Sequence, residues 1–221
     1  MIHNIIDEAL KSNDFTMETK TDLARFYIRE KGPAVRFAIL HKLADLSSPA
    51  ELNSAINQAA PEAFLNRPEF KKNCDLICIH KLNKLSDFKG LEEKIFAIEE
   101  DPHYFKKYVL YHSDAEEIAL EGFSFKKLED TVSDKSQFHS YKEDPLAPSQ
   151  YSVAAKIFIK LPFLELPFIR RDFVSLRRQA EEAVAEADLD EVYTTIQKLT
   201  EDNKDKLIQG LIENELEDST N

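Results

Sequence analysis

The chain has 221 residues, 41 Asp and Glu against 29 Lys and Arg, and a net charge of −12; 43% of it is hydrophobic, with 15 Phe. That length and composition suit a folded protein with a real core, as one large domain or two small ones. The four glycines, Gly32, Gly90, Gly122 and Gly210, lie too far apart for backbone N–H groups to cradle a phosphate, which excludes P-loop and Rossmann nucleotide motifs.

The charge is uneven. Residues 179–221 hold 13 acidic groups and three Lys, a net of −10, which leaves −2 on residues 1–178. The last part of the chain is repelled by phosphate backbones, and the rest is electrostatically indifferent to them. Two Cys give no disulfide framework, no basic-then-apolar leader is present and no window spans a bilayer, so the expected setting is a reducing cytoplasm, away from membranes.

Residues 1–15 read as a weak helix with Ile5, Ile6, Ala9 and Leu10 on one side. Leu23, Phe26 and Tyr27 repeat at helical spacing over residues 21–31, where Gly32 suits a helix end and Pro33 the first turn of the next. Val35, Ala38, Ile39, Leu43 and Leu46 form that second stripe. Ser48 and Glu51 make a capping box before Leu52, Ile56 and Ala59. Such closely spaced helices allow a helix-turn-helix DNA-binding regulator, although residues 49–60 offer base edges only Asn53, Asn57 and Gln58 and no cation.

Residues 74–80 change period: short, apolar and β-branched, they read as a strand covered on both faces. Cys74, Cys78 and His80 then share one face, but a structural zinc site needs a further ligand pair, and buried core thiols are the simpler reading. Leu91, Ile95, Phe96 and Ile98 mark a helix; Asp101-Pro102 opens another, with Tyr104, Phe105, Tyr108, Val109 and Tyr111 as its aromatic body. Ser113 and Glu116 form a second capping box, and Gly122 closes that helix.

Residues 131–150 read as a long polar loop holding Pro145 and Pro148, and residues 151–161 as an apolar, alternating run suited to a second strand. The doubled Leu-Pro-Phe of residues 161–168 is extended, because proline blocks helix and central strand; Leu161, Phe163, Leu164, Leu166 and Phe168 either cross the core or anchor a partner. Beyond residue 170, three apolar stripes predict acidic helices broken near Asp188 and Asn203.

Chemistry is sparse. Six His are scattered, and no Gly-x-Ser-x-Gly elbow is present. Glu99, Glu100 and Asp101, with Lys106 and Lys107 nearby, allow a metal-dependent nuclease; adjacent carboxylates on a helix diverge, however, and Asp101 serves equally as a helix cap.

The order of a short strand, then the segment with Asp101, Tyr104, Phe105, Lys106, Lys107, Tyr108 and Val109, then the apolar run at 157–168 resembles the middle components of bacterial three-component ABC-ATPase conflict systems, including Lamassu-type antiphage defence. The likeness spans roughly residues 74–170; relatives often carry Arg-Lys where this chain has Lys106-Lys107. The resemblance implies a non-enzymatic subunit with no cofactor or metal, bridging an SMC-like ABC ATPase and an effector, often a nuclease, and meeting DNA only through the complex. Its expected partner-facing residues are Asp101, Tyr104, Phe105, Lys106, Lys107, Leu161, Phe163, Leu166 and Phe168.

The expected architecture is α+β, predominantly helical with a small central β-sheet and an acidic C-terminal helical appendage. Residues 1–170 would form a mixed core with an N-terminal helical lobe, and residues 171–221 the acidic helical region with a disordered tail.

Overall fold

The computed structural model describes residues 1–167, 176–187, 189–198, 200, 204–205, 208–210 and 212. The chain falls into two compact units, Met1–Phe168 and Ile169–Asn221. The fold is α+β and mostly helical, around a five-stranded mixed sheet.

In the first unit, helix α1 (Ile2–Ser12) buries Ile2, Ile5, Ile6, Ala9 and Leu10, one stripe at helical spacing. Strands β1 (Thr16–Lys20), β2 (Ala24–Lys31) and β3 (Ala34–Leu43) follow as an antiparallel meander. β4 (Cys74–Leu82) and β5 (Lys106–Ser113) continue the sheet parallel to β3, giving the order β1-β2-β3-β4-β5. Parallel neighbours need crossovers. Helices α2 (Pro49–Ala59) and α3 (Glu62–Leu65) supply the first, and α4 (Phe88–Glu99), after a 3-10 turn at Leu85–Asp87, the second.

These crossovers cover one face, where Phe26, Phe37, Ile39, Leu76, Cys78 and Val109 meet Leu52, Ile56, Phe64, Ile95 and Ile98. The chain then forms α5 (Asp114–Ala119), α6 (Phe125–Ser133), α7 (Lys135–Glu143) and α8 (Gln150–Lys160). α1, α6 and α8 cover the other face, over Tyr27, Leu40, Ile77, Ile79 and Leu110. β4 is thus buried along nearly its whole length, as its unbroken apolar run requires. Both capping boxes form, Ser48 with Glu51 and Ser113 with Glu116.

Four stretches differ from expectation. Residues 21–46 are a β-hairpin, not two helices: Lys31 pairs with Ala34, and Gly32 adopts φ 58 at the first central position of a two-residue turn. A Gly with positive φ followed by a residue with φ near −65° matches the twist of paired strands as well as it ends a helix. Without those helices, the helix-turn-helix reading loses its scaffold. Residues 106–113 are strand β5 rather than helix, because the lateral pairing of β4 claims their backbone. Residues 150–160 are helix α8, started by Ser149 capping Ser152, with Ala154, Ile157 and Leu161 at helical spacing outweighing the alternation. The expected loop at 131–150 is largely α6 and α7, hinged where Asp134 accepts hydrogen bonds from the Ser136 and Gln137 N–H groups.

In the second unit, α9 (Leu176–Glu186) and α10 (Asp190–Gln197) pack against each other. The expected breaks at Asp188 and Asn203, most of the third stripe and the tail lie outside the described residues.

Candidate functional site

The loop joining α4 to β5 is organised around one ammonium group. The Lys107 side chain has no exposed surface, and its Nζ sits 2.7 Å from Asp101 Oδ2. It also donates to the His103 carbonyl at 2.6 Å and the Phe105 carbonyl at 3.1 Å. A buried ammonium needs its three N–H donors occupied, and here the loop's own backbone folds back to do it. Asp101 further accepts from Asn53 Nδ2 at 3.0 Å and pairs with His103 Nδ1 at 2.9 Å. Burial acts to raise the Asp101 carboxyl pKa, but the hydrogen bonds from Lys107, His103 and Asn53 outweigh it and hold the group well below the usual carboxylate range. Winding the loop around Lys107 forces Tyr104 into the left-handed region at φ 63, a costly conformation for an aromatic residue. That turn throws the Tyr104 ring outward, 49% exposed, with Lys71 Nζ 5.0 Å from its centroid.

The three neighbouring carboxylates go to different places. Glu99 accepts from the Val109 N–H at 2.8 Å and from Lys160 Nζ at 2.5 Å, Glu100 faces solvent, and Asp101 serves Lys107. Among the described residues no cluster of three His, Cys, Asp or Glu is placed to hold a metal. Cys74 and Cys78 are free and buried in the crossover-side core, and burial pushes the Cys78 thiol up to about 12. His80 uses Nδ1 on the Leu43 carbonyl at 2.9 Å.

The residues expected to face a partner divide sharply. Phe105, Lys107, Leu161 and Phe163 are interior, Asp101 is mostly enclosed, and Tyr104, Lys106 and Leu166 are exposed. Phe168 lies outside the described residues. Beside Tyr104 a recess of about 460 Å³ is lined by Asn53, Asn57, Asp101 and His103. The Oδ1 atoms of Asn53 and Asn57 have no hydrogen-bond partner there.

A second surface was not legible in the sequence. A groove of about 510 Å³ runs between α7 and α8, lined by Val132, Phe138, Tyr141, Phe158, Ile159 and Leu166 among others. Ile159 is 75% exposed, Leu166 53% and Phe138 41%. The signal existed as Ile159 and Phe138, but reading 131–150 as loop and 151–161 as strand hid that both project from helices flanking one trough.

No curated protein and no solved structure matches the chain. The segment holding β3 to the start of α7, which includes the Lys107 loop, does find a counterpart. Residues 36–136 match the family model described as ABC-three component (ABC-3C) system Middle Component 1, and over that segment the chain is similar to an ABC-3C middle component.

Proposed function

We propose that this chain is a non-enzymatic bridging subunit of a Lamassu-type antiphage defence complex, acting in the cytoplasm between an SMC-like ABC ATPase and an effector. The groove between α7 and α8 carries the reading. Isolated exposed apolar residues are ordinary, but Phe138, Ile159 and Leu166 line one trough with Tyr141 and Phe158, the form of a protein-binding surface. The match of residues 36–136 to a middle component supports membership of a multi-subunit system. The exposed Tyr104 ring supplies a second contact, suited to an Arg or Lys side chain of a partner. No described helix is long and apolar enough to cross a membrane.

The test is co-expression with the neighbouring ATPase and effector genes. Wild-type protein is expected to co-purify with the ATPase, and Ile159→Asp with Phe138→Asp to abolish that while the circular dichroism spectrum stays unchanged. A wild-type chain that elutes alone in the presence of both neighbours overturns the proposal.

A further inference from the structure

Strand register places a row of basic side chains across one end of the sheet. Lys20 of β1 pairs with Arg25 of β2, and Arg25 with Leu40 of β3. Two residues on, Lys42 lies on the same face as Leu40 and pairs with Ile79 of β4; two further on, Lys81 pairs with His112 of β5. Directly paired residues share a face, so all five strands deliver Lys20, Arg25, Lys42, Lys81 and His112 to the α1 side at one end. For β3, β4 and β5 this is the carboxyl end, the side on which open α/β sheets bind ligands.

The row lines a cleft of about 500 Å³, walled on one side by Ile2, His3 and Asn4 in the first turn of α1. That size suits a mononucleotide-sized ligand. Asp22 and Glu117 are the acidic residues among its described lining. Lys81 is committed to Asp114 at 2.6 Å and Glu117 at 2.9 Å, and Arg25 lies 4.0 Å from Asp7. Lys20 and Lys42 have no acidic partner among the described residues, although the protein carries a net charge of −12. His112, only 4% exposed, leaves Nδ1 without a hydrogen bond, and His3 Nε2, on another residue of the lining, is also unpartnered. Unpartnered buried ring nitrogens are uncommon in folded proteins, and both rings belong to the lining of this cleft. Burial first, then the charges of Arg25, the N-terminal ammonium, His112 and Lys42, lower the His3 pKa to about 4.

We infer that this cleft binds the phosphate groups of a small molecule of mononucleotide size, with Lys20, Lys42 and Arg25 meeting the oxygens and His3 and His112 completing the inner wall. Side chains do here what a glycine loop does elsewhere, which is why the sequence shows no phosphate motif. The site is independent of the bridging role.

Calorimetric titration of the full-length protein with pyrophosphate, at neutral pH and fixed ionic strength, tests the inference. Saturable binding is expected, with movement of the His112 imidazole resonances in the same titration. Lys20→Glu with Lys42→Glu is expected to weaken binding by about tenfold or more. Lys31→Glu with Lys72→Glu, the same charge change at the opposite end of the sheet, should leave it unchanged. Absence of saturable binding overturns the site, as does equal weakening by both pairs, which would mark bulk electrostatics. Binding of a short DNA duplex without any response to pyrophosphate also overturns it. If the double variant unfolds, Lys42→Gln takes its place with the same criterion.

Discussion

Lys107 is accommodated with no exposed side-chain surface because Asp101 and two loop carbonyls replace its hydration shell. Removing one member of such a pair strands the other, so Lys107→Met is expected to cost about 3–5 kcal/mol in urea denaturation. Asp101 also sets an acid limit. Its carboxyl is depressed in the folded state, so its contribution is fully present above the unfolded carboxylate pKa and disappears as pH falls below it. Asp101→Asn is therefore expected to be less stable than wild type at pH 7 and to lose less stability on acidification below about pH 4. His3 acts in a higher window: its pKa drops from 6.5 to about 4 on folding, so unfolded protein takes up the proton first. Stability should fall between those two values as pH is lowered, and His3→Gln should flatten that slope in denaturation curves at pH 7 and pH 5.

At the level of elements, Glu116 locks the β5–α5 corner to α8. It has no exposed side-chain surface, its Oε2 accepts from the Ser113 N–H at 3.1 Å, and its Oε1 takes Lys156 Nζ at 2.6 Å and the Ser152 hydroxyl at 2.5 Å. Lys156→Met leaves that carboxylate buried beside hydroxyl and amide donors alone, and is expected to destabilise by about 3–5 kcal/mol, read from the denaturation midpoint. The β2–β3 hairpin depends on Gly32 instead. No atom lies within 4 Å of where its Cβ would sit, so Gly32→Ala costs only backbone strain, about 1–2 kcal/mol by the same measurement.

For the whole molecule, the first unit holds two hydrophobic cores, one on each face of a single sheet, and neither draws on a described residue beyond 167. A chain ending at residue 168 should unfold in one cooperative transition, monitored together by circular dichroism and intrinsic tyrosine fluorescence. Two separate transitions would show that the faces are stabilised independently.

The local signals that survived folding were those satisfied within a few residues: the two capping boxes, the amphipathic stripe of α1 and the doubly covered run of β4. Those that failed were the ones with two local solutions. Gly32-Pro33 can end a helix or turn a hairpin, Tyr104 to Tyr111 can be an aromatic helix or a strand, and Ile157 to Leu161 can alternate or wind. In each case the deciding term was non-local: a ladder partner for residues 24–43 and 106–113, and a sheet face to cover for α8. Function divides the same way. The segment around Asp101 and Lys107 was visible as a motif, because its residues are close in sequence. Its role as a lysine-centred loop, the α7–α8 groove and the basic row from Lys20 to His112 exist only once strand register and helix packing bring distant positions together.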